Sequence, residues 1–235
     1  MNLFEKNTVQ SASSVEVDQG LRSYFLRVYN YMASALIVTG LVAYFASQSE
    51  AFIGLMSGGM RYVVMFAPLA MVLFLSVRLN KMSEGAAQAA FWGFSVLMGL
   101  SMFYIFAAYT GTSIARVFFI TAGTFGAMSL YGYTTKRDLS GFGSFLFMGV
   151  IGIVIASIVN IFLQSSAMHM AISVIGVLLF TGLTAYDTQR IKTNYYQVVN
   201  YGGSLGKAAI MGALSLYLDF INLFIMLMNL MGERR

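Results

Sequence analysis

Three charged side chains stand where a polar group is costly: Asp187, Asp219 and Arg78. Asp219 lies in Ser215-Leu-Tyr-Leu-Asp219-Phe-Ile-Asn222-Leu-Phe-Ile, within an apolar run from about Ala208 to Met231. Roughly 20 apolar residues at 1.5 Å rise cover the ~30 Å hydrocarbon core, so the run reads as a membrane-spanning helix with Asp219 near the bilayer interior. A charge at that depth is costly unless partnered or hydrated, which makes the carboxylate a functional candidate. Asp187 closes the preceding apolar run, in Gly182-Leu-Thr-Ala-Tyr-Asp187-Thr-Gln-Arg190-Ile-Lys192, and Arg78 closes the second run of the chain. Two carboxylates in one low-dielectric site cannot both ionise cheaply, so they titrate as a unit in two steps, and an arginine is the natural neutralising partner. Such a pair can gate with pH. Its oxygens also suit Ca²⁺, which makes Asp187 and Asp219 the candidate metal ligands.

These roles depend on how the helices place the residues. Gly212, Ser215, Asp219, Asn222, Met226 and Asn229 follow at steps of three and four and share one helical face, which must turn inward; Leu216, Phe220, Leu223, Leu227 and Leu230 cover much of the remainder. With Asp219 about eleven residues into a helix starting at Ala208 and Asp187 at the end of the sixth, their depths differ by ~10 Å. Contact therefore requires the sixth helix to run on past Asp187, or the seventh to begin after Ala208. Two readings stand for Asp187, a member of a functional pair or a boundary carboxylate paired with Arg190 one turn away. Arg78 is either a topology residue or the partner of both carboxylates.

Composition sets the class. The chain is 58% hydrophobic and 10% charged, with one Pro, no Cys and mean hydropathy +0.75, as in a polytopic all-α membrane protein. The net charge of +5 comes from basic residues scattered singly and in pairs near the ends of apolar runs, so nucleic acid is not an expected partner. Residues 1–28 read as a cytoplasmic N-terminal segment, partly disordered over Met1–Asp18, without the form of a cleaved signal peptide. Leu21, Tyr24, Phe25 and Val28 then recur at helical spacing, as an interfacial lead-in or a plain extension of the first span.

Residues 29–235 form the transmembrane domain, a bundle of seven spans: Tyr29–Ala46, Tyr62–Val77, Ala86–Tyr109, Ile114–Tyr133, Phe142–Leu163, Met168–Tyr186 and Ala208–Met231. The second is short and contains Pro68. Seven spans put ten of the 14 Lys and Arg on the side of the N-terminus and Arg61, Arg116, Arg234 and Arg235 on the other. The positive-inside rule then places the N-terminus in the cytoplasm and the C-terminus outside.

The remaining polar and small residues carry less. Gly93, Gly99, Gly123, Gly126, Gly149, Gly152 and Ala156 read as points of close helix approach. Ser215, Asn222 and Asn160 are pore or helix-contact candidates; for Asn160 and Gln164, bonding between helices is favoured over lining a pathway. Gly202-Gly-Ser-Leu-Gly206-Lys207-Ala208 superficially resembles a phosphate loop, but has one residue too few between the glycines and Ala where the Mg²⁺-binding hydroxyl belongs, so it reads as a flexible loop. His169, the lone histidine, is expected at the interface. With no Cys, it supports neither a metal cluster nor a nucleophilic triad, so no enzyme activity and no cofactor are expected.

The run Ser215–Ile225, the segment Ala185-Tyr-Asp187 with Ile191-Lys192, and Thr134-Thr-Lys-Arg-Asp138-Leu-Ser resemble the transmembrane Bax inhibitor motif family, and within it the small bacterial inner-membrane members. The similarity runs from about Gly20 to the C-terminus. It implies a seven-helix bundle with the seventh helix central, and a pH-sensitive calcium leak as the activity. It also implies that Asp187 and Asp219 match the family's proton-sharing aspartates and Arg78 its second-helix arginine. A second-helix acidic residue of some relatives is replaced here by apolar sequence around Ala67 and Pro68, which removes any cation site built on that carboxylate.

The expected function is thus a pH-sensitive calcium leak channel of the inner membrane, gated by the aspartate pair with its arginine. The alternative is a non-conducting membrane protein that binds and modulates other membrane proteins such as a quality-control protease. An intramembrane hydrolase ranks lower, for want of any signal of substrate or water entry.

Overall fold

The computed structural model describes residues 3–235, with side chains from Asp18 onward except that of Asn80. Among the described residues nine α-helices follow in order: α1 (Leu3–Gln48), α2 (Glu50–Met56), α3 (Met60–Arg78), α4 (Glu84–Ser101), α5 (Phe103–Ala108), α6 (Gly111–Thr134), α7 (Ser140–Leu163), α8 (Ser166–Tyr201) and α9 (Leu205–Met231). Seven segments are long and apolar enough to cross a bilayer: Asp18–Gln48, Met60–Arg78, Glu84–Ala108, Gly111–Thr134, Ser140–Leu163, Ser166–Tyr201 and Leu205–Met231. The chain is an all-α, multi-pass membrane protein. No strand occurs among the described residues beyond one isolated bridge, Tyr109 with Arg234.

The expected runs are all present, with changes at the ends of two, and the third is divided at Met102 into α4 and α5. The lead-in from Leu21 to Val28 is continuous with α1, so the plain extension is the correct reading. Where disorder is expected, over Met1–Asp18, α1 begins at Leu3, and Met1 and Asn2 lie outside the described residues. α3 passes through Pro68 unbroken and is long and apolar enough to cross a bilayer. Most consequentially, α8 runs fifteen residues past Tyr186 to Tyr201, where Gly202 ends it at φ +85°, a left-handed conformation that glycine adopts without strain. Hydropathy fades after Tyr186, but nothing in Asp187–Tyr201 is a helix breaker, so helicity outlasts the apolar run.

Burial is uneven. Only 11% of the most apolar window is buried in α3 and in α7, against 67% in α9, which packs on α1, α4, α6 and α8. On α9 the apolar positions Leu216, Phe220, Leu223 and Leu227 are buried, while of the stripe expected to turn inward only Gly212 and Asp219 are buried and Ser215, Asn222, Met226 and Asn229 are half-buried.

The close approaches fall on some of the expected glycines. A Cβ on Gly99 would meet Thr39 O at 2.7 Å, and one on Gly149 would meet Leu179 Cδ2 at 2.6 Å. Gly123, Gly126 and Gly152 instead face open space. Gly132, unremarked in the sequence, lets α6 lie against the backbone of Ala185 in α8. At the far end of the bundle the C-terminal residues are strapped to the start of α6. Thr110 N donates to Glu233 O at 3.0 Å, Arg235 N to Ala108 O at 3.0 Å, and Arg116 pairs with Glu233 at 2.8 Å.

Candidate functional site

Helix length brings the two carboxylates level. Asp187 lies 14 residues before the end of α8 and Asp219 14 residues after the start of α9. Residues 202–204 join the helices in a tight turn, so each carboxylate is ~21 Å up its arm of an antiparallel hairpin. The helices pack closely along this hairpin. Both side chains are buried, Asp187 at 8% and Asp219 at 5% exposure. Asp187 Oδ1 and Asp219 Oδ2 are buried without a hydrogen-bond partner among the described residues. Buried acceptors in that condition are costly.

The turn follows from its sequence. Gly202 and Gly203 take φ +85° and +149°, and the Ser204 side chain accepts from Lys207 N to cap α9. Gly206 then lies within α9, where the Glu84 carboxylate fills the space that a Cβ would occupy. Gly202–Ala208 is thus a helix-joining turn with a cap and a packing glycine.

Asp187 opens onto a cavity of about 600 Å³ lined by Ser76, Arg190, Asn194, Gln197 and Ser215, among others. The cavity lies on the side of the α8–α9 turn and reaches Ser215, one turn before Asp219. Asp187, Arg190, Asn194 and Gln197 are spaced by three, four and three. This polar stripe was legible once α8 was allowed to continue, and sequence reasoning missed it by ending the helix where hydropathy ended. Arg190 Nη1 stands 3.7 Å from Asp187 Oδ1, outside hydrogen-bond range, with its own side chain 61% exposed. Asp187 thus has Arg190 beside it at the cavity rim.

Arg78 is placed differently. It is exposed at the end of α3, and among the described residues no hydrogen bond or ion pair joins it to either carboxylate. Ser76, two residues earlier, is the α3 residue that lines the cavity. An arginine at a helix end extends toward the polar boundary, because a deeper guanidinium would lose its water. Arg190 holds the neighbouring position in this structure.

The other polar candidates are satisfied locally. Asn222 donates to Leu218 O at 2.8 Å, one turn back in its own helix. Asn160 Oδ1 accepts from Ser165 N at 3.0 Å and closes the α7–α8 turn, in which Gln164 ends α7 at φ 49°. Their bonding is structural, but within one turn where contact between helices was expected. Ser215 alone of the three lines the cavity. His169 is exposed in the first turn of α8, and no cluster of three His, Cys, Asp or Glu that could hold a metal occurs among the described residues.

Thr134–Ser140 secures the same end of the bundle. Gln189 of α8 accepts from Leu139 N at 2.8 Å and donates to Arg137 O at 2.7 Å, while Lys192 donates to Tyr133 O at 2.9 Å. Hydrogen bonds from the side chain and backbone of Ser140 hold the Asp138 carboxyl below its usual range. Deeper in the bundle, Tyr217 shares a 2.7 Å hydrogen bond with Thr39, which donates to Ser95 O at 2.9 Å. These bonds position α8 and α9 around the pair.

Comparison with known proteins places this geometry in a wider set. Residues 21–235 match the family described as inhibitor of apoptosis-promoting Bax1. The chain is 48% identical over 229 residues to the inner membrane protein YbhL of Escherichia coli K12, covering 96% of this chain and 98% of that protein. It is 48% identical over 234 residues to a protein of Rickettsia prowazekii, covering 99% and 98%. A membrane protein of Streptococcus pyogenes serotype M1 is 36% identical over 220 residues, covering 92% and 95%.

Proposed function

The chain belongs to the Bax inhibitor family, and from that premise we propose that it is a pH-responsive calcium leak pathway of the inner membrane, gated by Asp187 and Asp219. The observation that carries the reading is the level placement of two buried carboxylates, one of which, Asp187, lines a polar cavity. Charging both in one low-dielectric site is costly, so the protons held by the pair vary with pH, and the repulsion between α8 and α9 varies with them. With one proton shared, the helices are held together; with both carboxylates ionised, they repel and the barrier between cavity and bundle interior loosens.

Ca²⁺ takes six to eight oxygens, and two carboxylates supply a minority of them. Water completes a loose shell, and Ser215, Asn194 and Gln197 line the way to it. That suits a transit site better than a storage site. The cytoplasm is the side of the α8–α9 turn in this reading, in keeping with the excess of Lys and Arg there. Arg190 serves as the standing counter-charge, and Arg78 joins only if α3 moves.

Calcium flux into liposomes carrying the purified chain, measured across pH, tests the proposal. Wild-type flux is expected to vary with pH and Asp219→Asn to flatten that dependence. No protein-dependent flux at any pH would reject the leak and favour a non-conducting protein that binds other membrane proteins.

A further inference from the structure

A second site lies on the other side of α9. α1 and α6 both pack on α9 but not closely on each other, and the gap between them is an apolar crevice of about 680 Å³. Met32 and Leu36 of α1 face Ala122 and Gly126 of α6 across it, Phe220 of α9 forms its floor, and Arg22 lines one end. Tyr29 and Ser129, hydrogen-bonded at 2.5 Å, bridge the two walls. Beyond Leu36 the crevice continues into a second cavity of about 640 Å³ that shares Ala33, Leu36, Phe118 and Phe220.

Three features identify what fits. From Arg22 to Leu36 is 14 residues of α1, or ~21 Å, close to the depth of one leaflet with its headgroup region, about 20–22 Å. The volume spread over that length leaves a cross-section of roughly 30 Å², whereas a helix 10–12 Å across needs roughly 80–110 Å². A hydrocarbon chain, a single file of methylenes, enters where a helix cannot. Finally, Arg22 is exposed and forms no ion pair among the described residues. A guanidinium at the end of an apolar slot complements a phosphate, which it can bind through two parallel hydrogen bonds.

We infer that the α1–α6 crevice is a binding site for an anionic phospholipid of the surrounding bilayer, its acyl chain lying between Leu36 and Gly126 and its headgroup at Arg22. The site is independent of the leak reading. It uses neither carboxylate, though Phe220 adjoins Asp219 and ties the occupant to the same helix.

The test uses the full chain reconstituted into vesicles of equal parts phosphatidylglycerol and phosphatidylcholine, extracted in mild detergent, with retained lipid counted by native mass spectrometry. Wild type is expected to retain phospholipid and to favour phosphatidylglycerol about fivefold, the preference that one cation near the surface confers. Gly126→Leu adds bulk to the slot from a position where a Cβ meets nothing within 4 Å, and should lose the lipid. Ala33→Leu, on the opposite wall, is the second blocking variant should the first fold poorly by circular dichroism. Arg22→Gln should keep the lipid and lose the preference. Wild type carrying no lipid, or both blocking variants carrying as much as wild type, would overturn the site. An unchanged preference in Arg22→Gln would overturn the headgroup placement. A dimer lost on blocking, with lipid unchanged, would make a second copy of the chain the occupant and overturn the proposal.

Discussion

Replacing Gly132 by Ala tests the packing that sets α8, and with it Asp187, against the rest of the bundle. The added methyl would lie 2.9 Å from Ala185 Cα and carbonyl carbon, and closer still to its carbonyl oxygen. Ordinary contact begins at 3.4 Å, so the helices must part by at least 0.5 Å along backbone that has no rotamer to give way. Overpacking of this kind costs about 1–3 kcal/mol, while Ala in place of Gly in a helix returns about 0.5–1 kcal/mol. Gly126→Ala is the matched control. It lies in the same helix, gains the same propensity, and its Cβ meets nothing within 4 Å. The propensity contribution cancels in the comparison, and the difference between the two variants is the overpacking alone. At about 2–4 °C per kcal/mol for a chain of this size, Gly132→Ala should melt roughly 2–12 °C below Gly126→Ala. The assay is thermal unfolding in one detergent at one pH, followed by circular dichroism. Equal midpoints would show that α6 and α8 do not meet at Ala185, and the height assigned to Asp187 would lose its support.

Further outcomes follow from the same geometry. In the flux assay, Arg190→Ala combined with Asp187→Asn should depart from the sum of the single effects, whereas Arg78→Ala with Asp187→Asn should add, because groups in one network couple and separated groups do not; additivity in the first pair would remove Arg190 from the site. Tyr217→Phe breaks the Tyr217–Thr39 bond but leaves Thr39 donating to Ser95 O, so it should cost about 0.5–1.5 kcal/mol and leave the pH dependence of flux unaltered. A changed pH profile would mean that the hydroxyl communicates with the aspartates. A reporter fused after Arg235 and one inserted at residues 202–204 should appear on opposite sides of the membrane, and finding both on one side would remove a span.

The class, the family and the seven spans were legible in the sequence because bilayer thickness imposes a length and a composition that few other structures share. The candidate carboxylates were legible for a related reason, since a charge inside an apolar run stands out against everything around it. What the linear chain could not convey was distance. Whether Asp187 reaches Asp219 depends on where α8 ends, and that end is set by Gly202 and by packing on α9, with hydropathy pointing to the wrong residue. Arg78 and Arg190 are equally plausible partners by type; only the placement of α3 and α8 puts Arg190 at the cavity rim and leaves Arg78 at the boundary. The glycines divide in the same way, because a missing side chain marks close approach at Gly99, Gly132 and Gly149 and an open slot at Gly126. Composition records what a residue lacks, and the neighbouring helix decides what occupies the space.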